Sequence, residues 1–321
     1  GDGLLDLAVA ARSANLVAWF PNRTIHRSAV YSSPGHHALG VWWNARFVAA
    51  GDLDGDGDQD IVSVAEDDLI WHQNRGGSPP TFVSIAIATT MDRARWIDIA
   101  DLDGDGDNDL IVASTESHNL LWYENSGGAQ PYFTERLLAD GLEGPRAAIA
   151  GDLDGDGDLD VYAVSDTDNK VIWYENNGAR PPAFTARQID NNAGDVAAYP
   201  RHTHGTDIDN DGDLDLIVAA QSSNTIVLYV NNGTRPATFS RRIIAGHNAG
   251  GEPKIQGVQH VWASDVNGDG AMDILAASES SASVYWFENA DGVGGSFVPH
   301  AVDMDAWGVH AVVGGDAELE V

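Results

Sequence analysis

The chain is patterned as short apolar runs broken by polar turns. In "RFVAAGD" one apolar segment runs into an acidic stretch, and in "DIVSVA" or "DLIVAS" a second segment leaves it. A third carries an aromatic signature, read as "LIWHQN", "LLWYEN", "VIWYEN", "IVLYVN" and "VYWFEN". A Gly/Pro-rich turn follows, and then a fourth segment: "FVSIAI", "FTERLL", "FTARQI" or "FSRRII". Runs this short, rich in β-branched and aromatic residues and bounded by turn formers, predict strands. Four in succession predict an antiparallel sheet.

The pattern recurs. Acidic runs begin at Asp52, Asp101, Asp152, Asp207 and Asp265, spaced by 49, 51, 55 and 58 residues, and a further start at Asp316 follows after 51. That period suits a four-stranded propeller blade and is too long for a leucine-rich or ankyrin unit. The predicted fold is therefore all-β: a six-bladed β-propeller of four-stranded antiparallel blades, in one domain over residues 1–321. Seven blades, or a fragment of a larger propeller, are the alternatives. Trp71, Trp122, Trp173 and Trp286 recur at one place in each unit, and Trp19 fits the same place in the first. Their expected role is packing between blades.

Gly1 falls in the middle of an acidic run. Aligned on the repeat, Asp2 takes position five, Leu4 position seven and Asp6 position nine. Near the other end, "VHAVVGGDAE" reads as a first strand followed by Asp316 at position one and Glu318 at position three. The two ends thus read as halves of one unit, which would close the ring by pairing an N-terminal with a C-terminal strand. The split loop is residues 316–318 plus 2–6.

Composition narrows the function. Of 321 residues 43% are hydrophobic, enough for a core, and no apolar run reaches membrane-span length. There is no cysteine, so disulfides and thiol chemistry play no part. The net charge of −32 argues against nucleic acid and anionic membrane as partners. Yet 27 of the 49 acids fall in the repeated runs, so the charge is local and calls for local counter-ions.

Those runs share the pattern Asp-x-Asp/Asn-x-Asp-Gly-x-x-Asp. Carboxylates at alternate positions converge if the chain curls, and the Gly at position six permits the curl. A hard cation with oxygen ligands relieves their repulsion, and calcium tolerates such a shell better than magnesium. Without Cys or loop His, zinc is excluded. The EF-hand fails, because position twelve is Ser63, Val112, Ala163, Val218 or Ala276 where that motif needs Glu. In the calcium reading the five loops are 52–60, 101–109, 152–160, 207–215 and 265–273. Asp52, Asp54, Asp56 and Asp60 supply side chains and Asp58 its backbone carbonyl. Asp101, Asp103, Asp105, Asp107 and Asp109 repeat this, as do Asp152, Asp154, Asp156, Asp158 and Asp160, and Asp207, Asp209, Asp211, Asp213 and Asp215. The fifth set is Asp265, Asn267, Asp269, Ala271 and Asp273, with less charge; the split sixth site would use Asp2, Leu4, Asp6 and Asp316.

The loops, the "DLDGDGDxDIVxAS" phrasing and the "WYEN" strand resemble the FG-GAP/VCBS repeat family of calcium-loop propellers, which includes the integrin α-subunit head and fungal and bacterial lectins. The resemblance covers nearly the whole chain. It implies a secreted or surface-displayed protein, and leaves function open among adhesins, lectins and carbohydrate-active enzymes.

A ligand would sit at the blade end away from the acidic loops. Six residues before each first Asp stand Arg46, Arg95, Arg146, Arg201, Gln259 and His310. They read either as structural pairs with a neighbouring blade or as a cationic funnel for a carboxylate or sulfate. Trp42, Trp43, Trp96, Tyr199, Trp262 and Trp307 surround them, with His202, His204 and His260. The leading function is glycan recognition, lectin-like or adhesive, by a non-enzymatic module. One alternative is a polysaccharide lyase with Arg201 neutralising a uronate and His202, His204 or Tyr199 abstracting its proton. Two His spaced as in "HTH", with His260 or His310, could instead hold a transition metal. A structural spacer within a larger surface protein is the third reading.

Overall fold

The computed structural model describes residues 7–11, 16–20, 37–41, 45–65, 67–190, 197–246, 255–306 and 309–311. Every regular element among them is a β-strand, and no helix is long and apolar enough to cross a membrane. The chain forms two compact units, residues 1–142 with 316–321, and residues 143–315.

The first unit holds three sheets. One is three-stranded: β1 (Leu7–Ala11), β2 (Leu16–Phe20) and β3 (His37–Val41). The next has β4 (Ala45–Gly51), β5 (Asp60–Ala65), β6 (Asp68–Asn74) and β7 (Phe82–Ala88). The third has β8 (Ala94–Ala100), β9 (Asp109–Ser114), β10 (Asn119–Asn125) and β11 (Phe133–Ala139).

The second unit repeats the four-stranded plan. Its sheets are β12 (Pro145–Gly151), β13 (Asp160–Ser165), β14 (Lys170–Asn176) and β15 (Phe184–Asp190); β16 (Pro200–Thr206), β17 (Asp215–Ala220), β18 (Thr225–Asn231) and β19 (Phe239–Gly246); and β20 (Val258–Ser264), β21 (Asp273–Ser278), β22 (Ser283–Asn289) and β23 (Phe297–Asp303). All five four-stranded sheets are antiparallel meanders in chain order, as the sequence predicts. First strands of successive sheets lie side by side, β4 by β8 and β12 by β16 by β20.

Burial explains why the second strands are apolar throughout rather than alternating. All six residues of β5, β9, β13 and β17 are buried, so both faces of the strand are covered. Third strands carry the large aromatics: Trp71, Trp122 and Trp173 are at most 2% exposed. On the outer strand Arg136 lies over Trp122 at 5.4 Å and Arg187 over Trp173 at 5.6 Å, while His300 stacks on Trp286 at 4.4 Å. The same cations pair with Glu124 and Glu175, and His300 with Glu288. The "W-x-E" spacing is thus a lid: the outer-strand side chain covers the ring and is held by the acid two residues on.

Each first strand carries a β-bulge at one position. Ala45 pairs with Ala65 and Phe47 with Val64, leaving Arg46 as the extra residue. Arg95, Arg146, Arg201 and Gln259 are the extra residues of the other four sheets. A bulge re-aims a side chain, so the Arg periodicity marks a backbone irregularity repeated in all five four-stranded sheets.

Of the expected C-terminal first strand, residues 309–311 belong to no strand. The rest of that segment, with Asp316, Glu318, Asp2, Leu4 and Asp6, lies outside the described residues, as do Trp42, Trp43 and Trp307.

Candidate functional site

Each acidic loop curls by the same internal bonds. The position-one carboxylate accepts the position-six N–H: Gly57 to Asp52 at 2.9 Å, Gly106 to Asp101 at 2.9 Å, Gly157 to Asp152 at 3.0 Å, Gly212 to Asp207 at 3.0 Å and Gly270 to Asp265 at 2.8 Å. The position-five carboxylate accepts the position-seven N–H in all five loops. Position six has φ from 89° to 99°, where Gly is favoured. Position four is left-handed as well, which sequence reading missed: Gly55, Gly104, Gly155 and Gly268 lie there, and Asn210 takes φ 60° in the fourth loop. The signal was available, since Asn is among the few side chains that tolerate this region.

Position nine is the buried floor. Asp60, Asp109, Asp160, Asp215 and Asp273 are at most 1% exposed. One oxygen of each accepts the position-two N–H, as from Leu53 at 3.2 Å; the other accepts the N–H of the third-strand Asn, as from Asn74 at 2.7 Å. The other four loops repeat both bonds. Burial raises these carboxyls, Asp60 and Asp160 to about 6 and Asp109 and Asp215 to about 7, against the lowering pull of those same backbone bonds.

The Asn that ends "WYEN" is a second hub, which the sequence reading passed over in favour of the ring. Asn125 Nδ2 donates to Asn108 O at 2.8 Å in its own loop and to Leu53 O at 2.9 Å in the preceding sheet's loop. Asn231 reaches Leu153 O at 2.7 Å and Asn289 reaches Ile208 O at 2.9 Å in the same way. Each Asn therefore stitches its acidic loop to the one before.

Among the described residues, four triads could hold a metal ion: Asp52, Asp54 and Asp60; Asp101, Asp103 and Asp109; Asp152, Asp154 and Asp160; Asp207, Asp209 and Asp215. In each, one carboxylate oxygen per residue lies within 4.8 Å of the others. Asp54 Oδ1 and Asp209 Oδ1 are buried without a hydrogen-bond partner. A buried carboxylate oxygen left bare is costly, and a hard cation is the partner this donor set suits. The position-seven side chains turn elsewhere. Asp107, Asp158 and Asp213 fill the space where a Cβ on Gly127, Gly178 or Gly233 would sit, so only their backbone is left for an ion. In the fifth loop Asn267 Nδ2 donates to Asp269 at 2.9 Å, and Val266 is 44% exposed where its counterparts are buried.

The bulged residues point to the turn between strands two and three. Arg146 Nε donates to Asp166, Arg201 Nε to Gln221 at 2.6 Å, and Gln259 Nε2 to Glu279 at 2.5 Å, each within its own sheet. Arg201 also lies 3.8 Å from Asp166 of the preceding sheet. The expected pairing with a neighbouring blade is thus present for Arg201 and Asp166, while the shorter bonds lie within each sheet. His310 sits 3.9 Å from Glu279. Arg46 and Arg95 occupy the same bulge on β4 and β8.

Farther along the first strands, rings stack between sheets: Phe47 with Trp96 at 4.2 Å, His202 with His260 at 3.7 Å, and His204 with Trp262 at 4.2 Å. The His202 and His260 planes are 19° apart, so their in-plane nitrogen lone pairs do not converge on one ion. The transition-metal reading of "HTH" is thereby corrected in its His260 form. Burial holds His202 well below its usual pKa and lowers His204 to about 4, keeping both neutral. Tyr199 stands apart, half-buried at the strand start, with Arg201 over its ring at 4.6 Å and Arg146 at 5.8 Å.

The FG-GAP-like repeat matches residues 1–63, 52–112, 101–163 and 207–255. No curated protein matches the chain significantly. Among solved structures, a functionally unknown protein from Desulfotomaculum acetoxidans DSM 771 is similar at TM-score 0.58 and 13% identity, over 93% of this chain and 82% of that one. A nidogen/laminin complex chain is similar at TM-score 0.54 and 11% identity, over 93% and 91%. An Agrocybe aegerita lectin that recognises non-reducing terminal N-acetylglucosamine aligns at TM-score 0.48 and 18% identity, over 94% and 90%. With the repeat matched over more than half its length, the chain belongs to the FG-GAP-like repeat family, and its four-stranded sheets are β-propeller blades.

Proposed function

We propose that this protein is a calcium-braced binding module. The observation that carries the reading is the set of Asp triads whose buried oxygens, Asp54 Oδ1 and Asp209 Oδ1, lack a partner within the protein. Calcium in the four full loops, and more weakly in the 265–273 loop, pins the turn between the first two strands of each blade. Calorimetric titration of chelator-treated protein with calcium tests this; absence of any binding heat and any thermal shift overturns it. Six blades, the last built from β1–β3 and a strand from the C-terminal residues, with a sixth split loop, is the corresponding ring. Deleting residues 311–321 should then cost far more stability than trimming a loose tail would.

The ligand face is the first-strand edge, where Tyr199 and its flanking arginines lie among stacked rings. Aromatic and guanidinium groups together suit a glycan. A secreted or surface-displayed module with millimolar calcium around it is the setting this implies. A glycan array probed in calcium tests the reading, and a blank array across acidic and neutral sugars overturns it.

A further inference from the structure

In four of the five four-stranded sheets the residue just before the first strand has left-handed backbone. Gly144 and Gly257 take φ 74° and 68° there, while Arg93 and Tyr199 take 53° and 60°. Two sheets thus use the residue that suits this geometry, and one places a bulky ring in it at a cost in strain. Tyr199 is held there firmly. Its N–H donates to Asn169 Oδ1 at 2.7 Å, and its carbonyl accepts the Gln221 N–H at 3.1 Å. Gly257 makes the same two bonds, to Asn224 Oδ1 at 2.7 Å and from the Glu279 N–H at 3.1 Å, so the anchoring belongs to the blade and only the strained ring is particular to Tyr199.

What the ring does there is visible in its neighbours. Arg146 Nη2 donates to Tyr199 Oη at 3.4 Å, leaving the phenol's own proton free to donate. The two guanidiniums share one buried acid, Asp166, which Arg146 pairs directly and Arg201 approaches at 3.8 Å. The other nearby acid, Glu279, is engaged by Gln259 at 2.5 Å. The arginine side chains are 11% and 21% exposed, so their remaining N–H groups work in a partly shielded site, where charge interactions are stronger than in water.

We infer that Tyr199, Arg146 and Arg201 form a subsite for one carboxylate, that of an acidic sugar residue. This rests on the glycan reading above. The planar guanidinium fork and the phenol O–H match a planar monoanion. A dianion such as phosphate would bring twice that charge to two guanidiniums already facing Asp166 and Glu279, in a chain of net charge −32.

The test is calorimetry on the full chain in calcium with four probes: trigalacturonate, its methyl ester, a neutral N-acetylglucosamine oligomer and a sulfated oligosaccharide. The expected result is binding of trigalacturonate, at least tenfold weaker for the ester. Arg201→Gln should lose tenfold or more, and Tyr199→Phe, which keeps the ring and both flanking cations, severalfold. Should Arg201→Gln fail to fold, Tyr199→Phe alone decides. Trigalacturonate bound equally by folded variants and wild type overturns the subsite and leaves the glycan reading standing. So does binding of the neutral oligomer alone. A tighter fit for the sulfated probe overturns the carboxylate assignment. Silence from all four counts against the glycan reading itself.

Discussion

In the acidic loops, Asp60, Asp109, Asp160, Asp215 and Asp273 accept the same two backbone N–H groups in five sheets. At the other end of those sheets, Arg93, Gly144, Tyr199 and Gly257 share a left-handed backbone and little else. The loop position repeats its chemistry, whereas this strand-start position repeats only its backbone, beside a bulged Arg that recurs in four sheets. Repeated side chains mark a job repeated from blade to blade, such as the bond by which Asn125, Asn231 and Asn289 each reach the preceding loop. A repeated backbone with varied side chains leaves each blade free to present something different, and segments that vary in this way are where binding residues concentrate in proteins generally.

The contrast can be broken most severely by removing the calcium proposed above. Each occupied loop contributes about 2.7 kcal/mol at a hundredfold excess over Kd. Chelation should therefore lower the Tm by about 10 °C or more, measured by circular dichroism with and without calcium. An unchanged melt would reduce the loops to mere turns.

A single floor residue comes next. Asp160→Ala strands the Leu153 and Asn176 N–H groups, at about 1–3 kcal/mol each. Asp158→Ala, whose side chain lies toward Gly178, should cost under about 1 kcal/mol. Urea denaturation of both variants in calcium would read the difference; equal costs would show that position nine is no more structural than position seven.

A pH series probes the core between the two ends. His72 is fully buried between Ser63 and Ser84, both at 2.8 Å, and burial lowers it from 6.5 to about 4. Its folded pKa is below its unfolded one, so its contribution is complete above pH 6.5 and drains as pH falls toward 4. The loss is about 3 kcal/mol. His72→Gln should flatten the acid limb of the stability curve by that amount; an unaltered limb would place the sensitivity elsewhere.

The smallest effect lies at the variable end. Tyr199→Gly, at φ 60°, should leave stability unchanged or raise it by about 1 kcal/mol. The same exchange at Asp160 would be ruinous. A large destabilisation at Tyr199 would mean that its packing, and not a ligand, explains its presence.

Much of this was legible in the chain. The four-strand meander, the acidic loops and the packing role of the Trp residues follow from apolar run length, turn residues and period. The Asp triads assemble because alternate residues on a tight curl face inward, which is local geometry. Other features were hidden. The role of Asn125 needs Leu53, 72 residues away, and no spacing rule reveals that pair. The Arg period was visible, but its cause, a bulge opposite strand two, depends on register. The histidines of "HTH" looked like ligands until the next sheet supplied His260 and Trp262 as stacking partners.

By itself, the sequence determined what short-range physics dictates: where strands start and stop, which turns need Gly or Asn, and which carboxylates share a loop. Tertiary structure alone decided what each side chain meets across a sheet boundary. Asn125 meeting Leu53, His202 stacked on His260, and Tyr199 set between Arg146 and Arg201 all join residues from different sheets. Such contacts depend on how sheets pack, and packing is a property of the folded whole that no local pattern encodes.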